Sequence, residues 1–377
     1  MDMQTKNIAR FSINIHSSLR DLLLFQLKKI GVENVLVGNS RCVRQKINSG
    51  ILSNLGFKSK LADAPTELLR FSLDRDAASG LLSYLVEQLK LDNPARASCY
   101  IQNVSEYKDL ALPNVKFDCD GSKQASITEN LVLITTILSL KKSAETLIDR
   151  ALKLGAGVPF VALGKSAGVR ERMGLIRITI PDEKEIVKLL VPAHDAKILA
   201  DLLIEEANLD KPGGGFLYLT PVNAGVVDSL ISIGKQEHAA SIEQIIAAID
   251  EINQSTAWRK RFVLNESFTE SAGNVGLGGE FKEIVFVCQE GAADILSEAA
   301  ISAGADGATV SAVRYLSLND NQSQVATLVE RGILCIKANR QNDIISAINC
   351  ASNAAKVKLH SLQTADIKAS FVYRPNK

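Results

Sequence analysis

The amino-acid sequence predicts an α+β chain of three tandem βαββαβ units, and three observations predict it. Short apolar runs rich in Ile, Val and Leu alternate with segments of helical hydrophobic period. The order strand, helix, strand, strand, helix, strand recurs three times along the chain. At about 100 to 200 residues per domain, a length of 377 residues accommodates two to four domains.

The first unit spans 1–110. FSINIH at 11–16 reads as a strand, 19–30 as a helix ended by Gly31, and 34–37 as a strand. Its second half runs as a strand at 68–73, a helix at 77–91 and a strand at 98–104. The connection between the halves, 39–65, carries Arg41, Arg44, Lys46, Lys58 and Lys60 against the single acid Asp63. Connections longer than about 12 to 15 residues are often functional. Pro113, Gly121, Ser122 and Ser126 mark 111–128 as an irregular linker.

The middle unit, 129–224, is the clearest. LVLITTILSL at 131–140 is too short to span a bilayer and reads as a strand. In 143–154, Ala144, Leu147, Ile148, Ala151 and Leu152 fall on one helical face, with Gly155 and Gly157 behind them as caps. A strand at 158–163 follows, then a loop at 164–181, a strand at 186–191, a helix at 196–207 and a last strand at 216–222. The loop brings Lys165 and Arg170 near the glycine turn 213–215, where exposed backbone N–H groups and arginines suit an anion.

The stretch 225–280 is a linker with one amphipathic helix, 241–259. Ser241 and Gln244 form its capping box, and Ile242, Ile245, Ile246, Ile249 and Ile252 its apolar stripe. The third unit, 281–377, repeats the theme with strands at 283–287, 307–313, 333–338 and 365–373 and helices at 292–303 and 343–354. Its loop, 317–332, is the least basic of the three. This element order is that of the ferredoxin-like fold. Helices on one face leave the other face of each sheet needing cover, which sibling sheets would supply.

Residues 212–222, PGGGFLYLTPV, resemble the glycine turn and final strand of the PII-like nitrogen regulatory signalling proteins. Lys165 and Gly168 stand where that family has a lysine and a glycine at the base of its T-loop. In the first unit the place of the glycine turn falls on Ala95 and Ala97, and in the third on 361–364. PII-like proteins are homotrimers with inward-facing sheets, so the resemblance implies a trimer folded from one polypeptide. It further implies effector-binding residues Lys165, Gly168, Arg170, Gly213, Gly214 and Gly215, at a cleft between units. The T-loop of the family docks on partner proteins, which makes Arg41, Arg44, Lys46, Lys58 and Lys60 the candidate partner-binding residues.

The chain also departs from the family pattern. Phe216 stands where the family has a lysine, and Val227 and Ser229 where it has two arginines. Each charged hydrogen bond is worth about 1.5 to 3 kcal/mol, so their loss argues against the usual ATP pocket. AMP or a metabolite anion fits better.

A net charge of +1, from 43 basic and 42 acidic residues, leaves no general footprint for nucleic acid or an anionic membrane. No signal peptide or transmembrane run is read, which points to the cytoplasm. The six cysteines lack CxxC spacing and the four histidines lack HxxH or HExxH, so buried thiols are expected and no metal. GKS at 164–166 is no Walker A motif, because Pro159 occupies the place of its first glycine. No catalytic motif is present. The expectation is a non-enzymatic regulator of a target enzyme, transporter or regulator, with no cofactor beyond an adenine nucleotide or metabolite effector. The alternatives are a scaffold subunit with degenerate pockets and an ACT-like amino-acid-binding module.

Overall fold

A computed structural model describes residues 5–46, 60–108, 112–117, 127–139, 143–167, 183–209, 214–228, 280–319 and 326–372. The first segment consists of β1 (Lys6–His16), α1 (Arg20–Lys29), β2 (Asn34–Lys46), β3 (Lys60–Leu73), α2 (Arg75–Leu89) and β4 (Ala97–Glu106). The second has β5 (Thr128–Ser139), α3 (Ser143–Lys153), β6 (Phe160–Ala167), β7 (Glu183–Pro192), α4 (Ala196–Glu206) and β8 (Gly215–Val226). The third has β9 (Phe281–Gln289), α5 (Ala293–Ser302), β10 (Ala308–Ser317), β11 (Ala326–Lys337), α6 (Gln341–Ala354), β12 (Leu359–Ile367) and β13 (Ala369–Val372).

Among the described residues, all 13 strands join one antiparallel sheet. Within the segments the spatial orders are β4-β1-β3-β2, β8-β5-β7-β6 and β12-β9-β11-β10. The period-two alternation of β1 shows how each quarter of a segment is built. Ala9, Phe11, Ile13 and Ile15 meet Leu23 and Leu27 of α1 and Leu81 and Leu85 of α2 in one core. Ile8, Arg10, Ser12 and Asn14 occupy the opposite face, and all four are buried. The second and third segments have equivalent cores, centred on Leu147, Ile148, Leu199 and Leu203, and on Leu296, Ile344, Ile345 and Ile348. Each fully buried aliphatic side chain contributes about 1.5 to 3 kcal/mol.

The second faces of the three sheets are closed by cyclic pairing. The start of β2 pairs with the end of β10 (Asn34 opposite Ser317), the start of β10 with the end of β6 (Ala308 opposite Ala167), and the start of β6 with the end of β2 (Phe160 opposite Cys42). A second cycle joins β4 to β8 (Cys99 opposite Val226), β12 to β4 (Gln363 opposite Glu106) and β8 to β13 (Phe216 opposite Val372). Apolar patches seal the joints. Leu68 and Tyr100 pack with Leu131 and Phe160, while Ile186 and Tyr218 pack with Ile333 and Ile367. Glu106, fully buried at the joint of the first and third segments, accepts hydrogen bonds from Leu362 N at 2.8 Å and Ser361 Oγ at 2.7 Å.

Several expectations are corrected. The stretch 39–65 is not one connection: β2 continues to Lys46 and β3 starts at Lys60, with Asn39 opposite Glu67 and Lys46 opposite Lys60. Ladder hydrogen bonds do not require apolar side chains, so a polar hairpin escapes a search for apolar runs. Residues 326–332 likewise belong to β11. In the third segment 361–364 lie inside β12, so they are no counterpart of the glycine turn; β12 already starts at Leu359. The last strand is broken at Lys368, whose N–H bonds to Leu219 O at 2.8 Å, and β13 continues on the second segment. Cys42, Cys99 and Cys288 are buried, but Cys350 is exposed on α6. The expected helix at 241–259 lies outside the described residues.

Gly332 on β11 sits opposite Phe286 on β9, and an added Cβ would stand 2.1 Å from the Phe286 ring. The aromatic ring covers the glycine. Gly332→Ala must push it into the third core, and we expect a loss of about 1 to 3 kcal/mol, read as a lower urea midpoint at unchanged m.

Candidate functional site

Two clefts open where segments meet. The first lies over the triangle of β2, β6 and β10, with a volume of about 860 Å³. Arg41 and Lys165 line it, and so do Glu183, Glu185 and Glu330. Arg41 donates to Asp63 Oδ1 at 2.8 Å and to Glu185 Oε1 at 3.0 Å. Lys165 Nζ is 3.8 Å from Glu330 Oε1. With three carboxylates against two cations, this cleft carries no surplus positive charge.

The second cleft, about 90 Å³, separates the first segment from the third. Arg10, Arg70 and Arg331 face it, with Glu33 as its one lining carboxylate. Val35, Leu36, Phe71, Val285 and Val287 form apolar walls. Tyr315 and His360, with ring centroids 5.1 Å apart, complete the lining. Burial, and secondarily Lys358, lowers the His360 pKa, which keeps the ring neutral at neutral pH. The surplus here is positive.

Beneath this cleft lies a buried polar cluster. Arg10 Nη2 donates to Glu283 Oε2 at 2.7 Å and to Gln102 Oε1 at 2.9 Å, and Tyr218 OH donates to Glu283 Oε1 at 2.9 Å. Gln102 Nε2 in turn donates to Thr220 Oγ1 at 2.9 Å. The cluster ties all three segments. Burial alone would raise the Glu283 carboxyl; Arg10, Lys188 and Arg331 outweigh it and hold it down to about 2.

The structure places the sequence-predicted residues as follows. Lys165 and Arg41, assigned to different roles, share the first cleft. Arg44 is spent on the buried Asp228, at 2.5 Å, which also accepts from Ala95 N at 2.9 Å. Lys46 and Lys60 are backbone ladder partners, the last described pair of β2 and β3. Gly168, Arg170, Gly213 and Lys58 lie outside the described residues. Gly215 opens β8 opposite Leu138 of β5, and β7 lies between β5 and β6, so Gly214 and Gly215 stand three strands from Lys165. At about 4.8 Å per strand these residues do not share one pocket. Gly215 is required by backbone: its φ is +123°, and an added Cβ would lie 2.1 Å from Ile137 O.

Sequence reasoning missed Arg10, Arg70, Lys188, Glu283 and Arg331. One signal could have found three of them: LLRFSL, IVKLLV and VERGIL each place one cation within the third strand of a segment. Among the described residues no His, Cys, Asp and Glu group could hold a metal ion, and no helix is long and apolar enough to cross a membrane. Compared with protein-family models, with curated proteins and with solved structures, the chain matches none.

Glu283→Gln leaves Arg10 buried without its counter-charge, and we expect a loss of about 3 to 5 kcal/mol at pH 7. Glu283 is depressed from 4.5 to about 2, so its contribution is complete above pH 4.5 and is lost as pH falls towards 2. Urea midpoints across that range should therefore fall more steeply in the parent than in the variant.

Proposed function

We propose that the chain is a PII-like regulator: three ferredoxin-like units folded into a pseudo-trimer that binds a small metabolite anion and controls a partner protein without catalysing a reaction. The observation that carries this reading is the cyclic pairing of three segments of identical strand order around guanidinium-lined space. The charge balance of the two clefts selects the effector site. An anion is disfavoured over β2, β6 and β10, where acids outnumber cations, and favoured between the first and third segments, where Arg70 and Arg331 have no carboxylate in ion-pair range among the described residues.

The size of that cleft narrows the ligand further. At about 10 to 15 Å³ per water-sized group, 90 Å³ suits a small dicarboxylate and is tight for an adenine nucleotide. Apolar walls accept its methylene groups and guanidinium groups its carboxylates. The cleft touches β10 through Tyr315, two residues before that strand ends at Ser317. Occupancy there biases the connections that follow β2, β6 and β10, and these T-loop-like segments dock on the target. Arg41, Arg44, Lys46, Lys58 and Lys60 flank or lie in the first of them.

Titration calorimetry tests this with 2-oxoglutarate, succinate, ATP, ADP, AMP and cyclic AMP. We expect heat from a dicarboxylate, abolished in Tyr315→Trp, where the larger ring fills the cleft while the unfolding midpoint stays near that of the parent. Indifference to every compound, with a co-purifying protein retained, would replace the regulator by a scaffold whose pockets have decayed.

A further inference from the structure

A smaller cavity of about 30 Å³ lies where β2 and β3, β6 and β7, and β10 and β11 converge, sharing Arg70 and Arg331 with the cleft between the first and third segments. Each segment sends one cation into its lining: Arg70, Lys188 and Arg331. They occupy like positions in the sheet. Arg70 stands between Ser12 and Leu36, Lys188 between Thr135 and Phe160, and Arg331 between Val287 and Ser311. Their exposures are 7%, 4% and 4%, so water does not screen them.

No carboxylate lines the cavity beside them. The nearest acid in the electrostatics of the group is Glu283, already engaged by Arg10 and by the Tyr218 hydroxyl. Among the described residues no carboxylate, Glu283 included, lies within ion-pair distance of the three. Thr135, wholly buried opposite Lys188, has a hydroxyl with no partner. Left in this state, burial and mutual repulsion drive the Lys188 amine far down and lower Arg70 to about 9. A fold that places one cation per segment at one point lined by no carboxylate offers a site for an anion.

We infer that this central cavity binds one halide-sized inorganic anion, coordinated by Arg70, Lys188 and Arg331. Volume decides the class. At about 10 to 15 Å³ per water-sized group, 30 Å³ admits a chloride with one water, and excludes the five heavy atoms of phosphate. The anion restores the charge of Lys188 and holds the three segments to a common centre. Arg70 and Arg331 line both this cavity and the effector cleft, whereas Lys188 lines only the central cavity of the two and so tells the sites apart.

The test compares the unaltered chain in sodium chloride, sodium gluconate and sodium phosphate at equal ionic strength and pH 7. We expect the melting temperature to rise saturably with chloride or bromide, and with neither gluconate nor phosphate. In Lys188→Met the chloride dependence is expected to disappear, whatever the basal stability of that variant. Should the variant not fold, crystals of the parent grown in bromide decide the matter through an anomalous peak in contact with Lys188 Nζ and the Arg70 and Arg331 guanidinium groups. Equal melting temperatures in chloride and gluconate with no central peak would overturn the inference, and stabilisation by phosphate alone would overturn the assigned size.

Discussion

A four-stranded sheet with both helices on one side has a second face that water must not reach if the strands carry residues such as Leu68, Tyr100, Ile186 and Tyr218 there. The chain meets this constraint by turning three such faces towards one another, and everything else follows from the closure. The two cycles of strand pairing consume the edges that would otherwise offer unpaired N–H and C=O groups, as a barrel does. The pairings are staggered, each strand giving its first half to one neighbour and its second half to the other. This makes the three segments interdependent: the edge strands β2, β4, β6, β8, β10 and β12 find their second partners only in another segment.

Closure also explains why the interior is partly charged. The inner faces bring Arg10, Arg70, Lys188 and Arg331 together with Glu283 in a space largely shut off from bulk solvent. A buried ion pair such as Arg10 with Glu283 is poor at adding stability over an apolar pair of the same volume, because desolvation offsets the attraction. It is effective at penalising wrong arrangements. A one-residue slip of β9 against β11 would turn Glu283 away from Arg10 and towards the helices, leaving both charges uncompensated. The Tyr218 hydroxyl and the Gln102 amide extend the same discipline to the second segment, so the polar cluster sets register across the joints while the aliphatic cores supply the energy.

Local structure was legible in the residues because it is written locally. The helical face of Ala144, Leu147, Ile148, Ala151 and Leu152 matches α3, and all five side chains are buried. The βαββαβ order of the three segments was equally visible. What was not legible depends on closure. Polar residues at alternate strand positions, such as Ser12 and Arg70, ordinarily mark a solvent face, and nothing local says that the opposite face is covered by another segment. The same blindness applied to the hairpin extensions 39–46 and 60–65, whose ladder hydrogen bonds leave no apolar signature. Arg41, Arg44 and Lys165 read as a basic surface only while their partners Glu185, Asp228 and Glu330, 144 and 184 residues away in the first two cases, were out of view.

A single polypeptide can do at its centre what three identical chains cannot. In a symmetric homotrimer any residue near the axis appears three times, so one carboxylate would bring two more. Here the third segment alone supplies Glu283, and the first alone supplies its partner Arg10. The cations of the third strands, by contrast, are kept in all three segments, as Arg70, Lys188 and Arg331. The segments therefore differ in the surroundings of the centre and agree in its positive charge. The same freedom distinguishes the lateral joints: the one between the first and third segments carries surplus guanidinium groups, whereas the mouth over β2, β6 and β10 is balanced by acids. The joints of one closed sheet are thus chemically unequal, which is what the proposed effector site between the first and third segments requires.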